Sequence, residues 1–138
     1  MIRTSTAIWK GPGKTGVGQL NIQSDKNLSS GFDFQGRFAL ETPNINPEEL
    51  IAAAYAMDFV MKLSFVLGEA GFIAEFIKAI ANINFVNGSI TGLHLLLTAK
   101  IGDINQDIFE SSVKEAQITC PVGRALNIPV TVDTTLAD

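Results

Sequence analysis

Few side chains in this sequence could carry out chemistry, and one of them is its only cysteine. Cys120 directly precedes Pro121, a residue that favours the first position of a helix. A thiol at a helix N-terminus meets the positive end of the helix dipole and nearby N–H groups, which lower its pKa and favour the thiolate. The other interpretation is a small buried residue, the usual state of a free cysteine. The sequence alone leaves both open.

Four charged residues stand among apolar neighbours and are the other candidates. Arg37 lies within a predicted strand, and Glu48 and Glu49 open a long apolar helix. Asp58 lies in the middle of that helix, where an isolated buried charge would be costly. Lys62 follows four residues later, a spacing that brings helical side chains together. We therefore expect Asp58 to pair with Lys62 or with Arg37.

Other motifs lack the context that their chemistry requires. Residues 11–16 (GPGKTG) match G-x-G-x-x-G, but a strand is predicted to follow, so the helix N-terminus that would hold a phosphate is missing. His94 is the only histidine, and it has neither a metal cluster nor a nucleophile beside it in the sequence. We interpret it as structural or solvent-facing. The sequence predicts no cofactor and no metal site.

One long helix over residues 46–71 is expected to position these groups. Asn46 can cap it, Pro47 suits its first turn and Gly71 suits its C-terminal end. Its residues are apolar on all faces, which predicts burial on all sides and a partner subunit that covers it.

The remaining pattern places strands in runs rather than in regular alternation with helices. Asn87-Gly88 is a two-residue turn typical of tight hairpins, and Pro129 indicates a strand start or a sheet edge. The order β-β-β-α-β-β-α-β predicts a single α+β domain over residues 1–138, with an antiparallel sheet packed on the central helix. The predicted elements besides that helix are strands at 2–9, 17–23 and 32–41, a polar loop at 24–31, strands at 76–86 and 89–101, a helix at 104–118 capped by Asp103, a short turn at 121–126 and a strand at 128–136.

Composition excludes several classes of protein. The 138 residues suit one domain, and a net charge of −4 without a basic block argues against a nucleic-acid partner. One cysteine excludes an intramolecular disulfide. The N-terminus lacks a signal-peptide run, and charges interrupt the longest apolar segment, which argues against a membrane span. We predict a cytoplasmic protein.

Three segments of the sequence resemble the OsmC/Ohr family. They are residues 46–54 (NPEELIAAA), 67–72 (LGEAGF) and 120–122 (CPV), and the strand with Arg37 also fits in order and spacing. The OsmC branch is more similar than the Ohr branch. The resemblance implies an α+β fold in which two chains intertwine into a homodimer, with the two long helices buried and two active-site pockets at the interface.

The resemblance also implies thiol-dependent reduction of organic and fatty-acid hydroperoxides, as part of oxidative stress defence. A peroxidatic cysteine on the central helix becomes a sulfenic acid, a second cysteine in the Cys-Pro motif forms a disulfide with it, and a dithiol such as a lipoylated protein reduces the pair. By position, Cys120 matches the second cysteine, Arg37 the arginine and Glu49 the glutamate that hold the first thiolate. Asp58 occupies the peroxidatic position, and a carboxylate lacks the oxidisable sulfur.

The expected function is therefore an OsmC-like homodimer that binds a small apolar, acidic or hydroperoxide ligand, or has a regulatory role, without the standard two-cysteine chemistry. The alternative is a one-cysteine thiol peroxidase in which an exposed Cys120 with a lowered pKa acts beside Arg37. A third possibility is a purely structural, stress-related dimer.

Overall fold

The computed structural model describes residues 1–39 and 44–138. These residues form two compact units, 1–50 and 51–138, and the central helix runs through the boundary. The single domain over 1–138 stays a prediction. The last part of the strand predicted at 32–41 lies outside the described residues.

The first unit contains an antiparallel sheet in the order β1-β2-β3. Strands β1 (Ser5–Lys10) and β2 (Val17–Ile22) confirm the first predicted hairpin. The polar loop predicted at 24–31 is wrong, because β3 (Asp25–Phe32) occupies it. The polar side chains of this strand bond to its neighbour, since Gln19 donates to Ser29 (2.6 Å) and Ser29 to Asn21 (2.9 Å). A hydrophilic segment can therefore form an exposed edge strand.

The third strand predicted at 32–41 is also wrong where the chain is described. Phe32 ends β3, and Gln35–Arg37 form a short 3-10 helix. The Asp33 carboxylate turns the chain here, because it accepts a hydrogen bond from the Gly36 N–H (2.7 Å). Arg37 therefore ends a turn rather than standing in mid-strand.

The central helix α1 (Pro47–Glu69) confirms the prediction and its start signal. The Asn46 side chain accepts from the Glu49 N–H (2.8 Å), and Gly71, at φ +90°, follows the helix end. Within one chain α1 is not buried on all sides, because an exposed stripe of Met57, Met61 and Phe65 repeats every four residues. The partner subunit that would cover it stays a prediction. By length and composition α1 could cross a membrane, a test that the core helix of a soluble protein also passes.

The second unit combines the rest of α1 with a three-stranded sheet and two helices. Strands β4 (Ala74–Val86) and β5 (Ser89–Ile101) form the predicted hairpin, and Asn87 and Gly88 both take positive φ at its turn. Helices α2 (Gln106–Thr119) and α3 (Pro121–Ala125) follow. Asn105 rather than Asp103 caps α2, because Asp103 has a positive φ that a capping residue does not adopt.

Strand β6 (Val130–Leu136) pairs with β5 in the parallel direction, so the predicted antiparallel pairing holds for β4 and β5 but not for β6. The two helices return the chain to the starting end of β5, as a parallel connection requires. The sheet order β4-β5-β6 places β6 at an edge, which confirms the inference from Pro129. The core of this unit consists of side chains from α1, β5, α2 and the Cys120 junction: Tyr55, Phe59, Leu63, Val66, Leu67, Leu93, Leu95, Leu97, Ala99, Ile101, Phe109, Val113, Ala116 and Cys120.

Candidate functional site

The first turn of α3 needs acceptors for its backbone N–H groups, and two side chains supply them. Pro121 has no N–H to satisfy. The Val122 N–H donates to Asp58 Oδ2 (2.8 Å), and the Gly123 N–H donates to Cys120 Sγ (3.3 Å). Asp58 therefore joins α1 to the N-terminus of α3. Its negative charge lies at the end of the helix where the dipole favours an anion.

Cys120 is fully buried, and the environment of its thiol favours the protonated form. Burial raises the pKa of Cys120, and the hydrogen bond and negative charge of Asp58 raise it further. The Gly123 N–H and the charge of Lys62 act in the opposite direction without outweighing burial. The predicted thiolate-favouring environment is therefore wrong, and the interpretation as a small buried residue is confirmed.

Tyr55 belongs to the same cluster, although it was not among the predicted site residues. It precedes Asp58 by three residues on α1, a spacing that puts both on one face, and it is only 1% exposed. Burial, followed by the charges of Cys120 and Asp58, raises the pKa of Tyr55 to about 12. The phenol is therefore neutral at physiological pH.

Gly123 makes room for this tyrosine. A Cβ added at position 123 would lie 3.0 Å from Cys120 Sγ and 3.0 Å from Tyr55 Cε2, closer than nearly all real Cβ contacts. The glycine thus allows the tyrosine ring to pack directly against the start of α3. The signal that could have identified both residues is the i, i+3 spacing of Tyr55 and Asp58 beside a Cys-Pro junction.

In the first unit, Arg37 pairs with Glu48. Arg37 Nη2 lies 2.5 Å and Nε 3.1 Å from Glu48 Oε1, and Glu48 is only 7% exposed. Burial opposes ionisation of Glu48, but the hydrogen bond from Arg37, the backbone N–H of Glu48 and the Arg37 charge together lower its pKa. Glu49, the residue predicted from the resemblance, is exposed. The helix rotates by about 100° per residue, which turns adjacent glutamates to different sides.

Three of the four predicted site residues thus belong to two arrangements, and Glu49 belongs to neither. Asp58 and Cys120 meet at the start of α3, while Arg37 pairs with Glu48 instead of Glu49. An Asp58–Lys62 ion pair is wrong for the described chain, where no such contact lies within 4 Å. The pairing of Asp58 with Arg37 stays a prediction.

The polar groups of this cluster are engaged in hydrogen bonds. The thiolate is the nucleophilic form of cysteine, and here both burial and a neighbouring carboxylate oppose it. Among residues 1–39 and 44–138, no three His, Cys, Asp or Glu side chains are grouped to hold a metal ion. In the described chain Cys120 is buried and its pKa is raised, and the one-cysteine alternative stays a prediction.

Sequence comparisons agree on one family. A family profile described as "OsmC-like protein" matches residues 40–135 of this chain. Peroxiredoxin OsmC of Escherichia coli (strain K12) is similar to it, at 34% identity over 131 residues, an alignment that covers 92% of this chain and 91% of that protein.

Solved structures resemble the chain over nearly its whole length. An OsmC-like protein from Mycoplasma pneumoniae has a TM-score of 0.80 at 9% identity, covering 100% of this chain and 99% of that chain. The organic hydroperoxide resistance protein OhrB of Bacillus subtilis has a TM-score of 0.64 at 22% identity, covering 97% of this chain and 98% of that chain. At such identities the likeness concerns the fold alone, and it confirms the predicted α+β architecture.

Proposed function

This chain belongs to the OsmC-like protein family, and from that premise we propose that it is a homodimer that binds a small ligand without two-cysteine reduction of hydroperoxides. The observation that carries the proposal is the hydrogen bond that the Asp58 carboxylate accepts. It stands at the position of the peroxidatic cysteine, and its carboxylate is committed to a hydrogen bond from the Val122 N–H (2.8 Å). Asp58 thus accepts a hydrogen bond at the start of α3 and does not act as a peroxidatic thiol.

The remaining thiol supports the same conclusion. Peroxide reduction through a disulfide needs two cysteines, and the sequence contains only one. Cys120 is fully buried, and its pKa is raised by burial and by Asp58. A sulfenic acid formed there would have no second thiol in the chain with which to condense.

A small apolar ligand is supported by a cavity in the first unit. Its volume is about 130 Å³, and its walls are almost wholly apolar, including Leu20 and Phe32 of the sheet and Pro47 and Leu50 at the start of α1. That volume is comparable to a cavity of about 150 Å³ that stays dry and admits benzene. It suits a short alkyl or small aromatic group.

A second copy of the chain is supported by the exposed stripe on α1. Met57, Met61 and Phe65 together present an apolar strip on a helix whose opposite side is core. Contiguous exposed apolar surface of this kind marks interaction sites. The resemblance implies that the partner helix covers it in a homodimer, and sedimentation of the purified protein measures the predicted dimer directly.

Stopped-flow reaction with cumene hydroperoxide under excess dihydrolipoamide tests the loss of peroxidase activity. We expect no enzymatic consumption of peroxide by the wild-type chain and a gain of activity in Asp58→Cys, which restores the missing sulfur. The double variant Asp58→Cys, Cys120→Ser is the control, because it restores the first thiol and removes the second. Turnover by the wild-type protein that disappears in Cys120→Ser would overturn the proposal and establish the one-cysteine mechanism.

A further inference from the structure

His94 lies on the outer face of the second sheet, where both of its ring nitrogens meet side chains of β6. Nδ1 is 2.5 Å from Thr131 Oγ1, and Nε2 is 3.0 Å from Asp133 Oδ2. The parallel register explains the contacts, because it places His94 beside Thr131 and Leu96 beside Asp133. Alternate residues of a strand share a face, so Thr131 and Asp133 lie on the same side as the imidazole. Sequence analysis missed this group because His94 lies 37 residues before Thr131 and still further before Asp133.

For a neutral imidazole, the partners determine the direction of the hydrogen bonds. The Asp133 carboxylate only accepts, so Nε2 of a neutral His94 carries the proton and donates to it. Nδ1 is then the acceptor, and the Thr131 hydroxyl donates to it. The result is a chain from hydroxyl to imidazole to carboxylate. A nucleophile bonded to a base that a third group orients is the arrangement that activates hydroxyl nucleophiles on unrelated folds.

We propose that Thr131, His94 and Asp133 form a hydrolytic site for esters with a small acyl group. Thr131 is the nucleophile, His94 the general base and Asp133 the group that orients the imidazole. The proposal is independent of the ligand-binding function above, since none of its residues belongs to the Asp58–Cys120 cluster or to the Arg37–Glu48 pair.

The site is open to a substrate and has apolar surface beside it. The side chains of His94 and Asp133 are 35% and 75% exposed. Leu96 and Ile80 are partly exposed and lie opposite each other in the β4–β5 ladder, with Leu96 also beside Asp133. This apolar area, next to the three polar groups, suits a short aliphatic acyl chain.

The edge of β6 supplies hydrogen-bond donors for a developing oxyanion. The Leu93 N–H donates to Pro129 O (2.9 Å) and the Ala137 N–H to Ala99 O (2.8 Å), so the odd-numbered residues of this segment bond to β5. The N–H of Val132, the residue after the nucleophile, therefore points to the open edge. Gln117 lies at that edge too, where its amide donates to Val130 O (3.3 Å). A backbone N–H after the nucleophile is a recurrent oxyanion donor.

The proposed reaction is an acyl transfer followed by hydrolysis, and it needs only the ester and water. Thr131 Oγ1 bonds to the ester carbonyl carbon while its proton moves to His94 Nδ1. The ester C–O bond then breaks, and the alcohol leaves with that proton. Water attacks the acyl-threonine carbonyl with His94 again taking a proton, which returns to Thr131 Oγ1 as the carboxylic acid departs. No atom changes oxidation state.

Hydrolysis of p-nitrophenyl acetate by the full-length protein tests the site. Thr131→Val removes the hydroxyl at nearly constant shape, and we expect the rate to fall by about 100-fold, the low end for general base catalysis. Thr135→Val is the matched control, because Thr135 is also on β6 and on the same face but pairs with Thr98. Its rate should equal that of the wild-type protein. Mass spectrometry of acid-quenched samples should find one acetyl group on Thr131.

Two results would overturn the proposal. One is an equal rate in Thr131→Val and wild type with a lower rate in His94→Gln, since the imidazole would then act alone. The other is a wild-type rate no greater than that of His94→Gln. If Thr131→Val does not fold, Thr131→Ser replaces it: the serine keeps the hydroxyl, so retained activity with acetylation at position 131 supports the site, and absence of the acetyl group contradicts it.

Discussion

Glu48 and Asp58 are two acidic side chains of the same helix, and the fold stabilises them by different means. Glu48 meets a guanidinium, with Arg37 Nη2 2.5 Å from its carboxylate. Asp58 meets a backbone N–H at the start of a short helix, 2.8 Å from its carboxylate. The first arrangement requires a negative charge, because its partner is a cation. The second requires only an acceptor oxygen, because a neutral amide or hydroxyl also caps a helix.

The two residues therefore differ in how they could contribute to the chemistry that the family resemblance implies. An arginine paired with a buried glutamate is a charged group that can still orient a ligand. A carboxylate used as a helix cap is a structural element that holds α1 to α3. At position 58 a hydrogen bond from the Val122 N–H to the carboxylate holds the cluster together. The predictions below test whether charge matters at one position and only hydrogen bonding at the other.

The largest effect is expected for the charge pair. Glu48→Gln should lower the free energy of unfolding by about 2 kcal/mol, below the usual loss for a fully buried pair because Arg37 is partly exposed to solvent. Glu49→Gln is the matched control, since it makes the same change at an exposed neighbour. Its effect should stay within about 0.5 kcal/mol. Urea unfolding of the three proteins measures both values, and equal losses at the two positions would contradict the assignment.

Asp58 should respond to the loss of its oxygen and not to the loss of its charge. Asp58→Ala leaves the Val122 N–H without its acceptor, and we expect a loss of about 1–2 kcal/mol in the free energy of unfolding. Asp58→Asn keeps an acceptor oxygen and should lose less than about 0.5 kcal/mol. A loss as large in the asparagine variant as in the alanine variant would show that the charge itself is needed, as in the predicted pairing with Arg37.

The sequence predicted the β4–β5 hairpin and the start of α1 well because their signals are local. The Asn87-Gly88 turn, the alternation along β4 and β5, and the Asn46-Pro47 helix start each depend on neighbouring residues, and the structure confirms them. The segment from 24 to 39 was mispredicted for a physical reason. Its β3 is polar and exposed, so it lacks the apolar alternation that marks a half-buried strand.

For the candidate site, the resemblance suggested residues, and the sequence could not predict their contacts. The resemblance suggested Arg37, Asp58 and Cys120. The choice between Glu48 and Glu49 depends on which side of α1 faces Arg37, and Arg37 lies in a turn that the sequence did not predict. The raised pKa of Cys120 depends on burial, a tertiary property. Tyr55 was not among the predicted site residues because a tyrosine on an apolar helix is typical of an ordinary core residue.

Acid should weaken the first arrangement through Glu48. The pKa of Glu48 is lowered from its ordinary value of 4.5, so its contribution to stability is fully present above that value and is lost as pH falls through the folded-state pKa. The wild-type protein should therefore lose stability more steeply below about pH 4.5 than Glu48→Gln, which cannot titrate there. Urea unfolding midpoints from pH 6 downward, taken at steps of about half a unit, compare the two proteins, and parallel curves would contradict the pairing.

Alkali should destabilise the Asp58–Cys120 cluster because it deprotonates Tyr55 and Cys120. This loss of stability is absent at neutral pH. The pKa of Tyr55 is raised from 10.0 to about 12, so its contribution is complete below pH 10.0 and is lost as pH rises towards 12. Tyr55→Phe keeps the ring and removes the titration, so its unfolding midpoint should decline less over that interval.

Cys120 has its own raised pKa and will produce part of the decline in both proteins. Asp58→Asn, which removes one of the charges that raise both values, should reduce the alkaline loss without abolishing it, because burial is the larger cause at each group. If Asp58→Asn and Tyr55→Phe both leave the alkaline curve unchanged, the phenol is already open to solvent and the cluster is not closed as the contacts of α1 and α3 indicate.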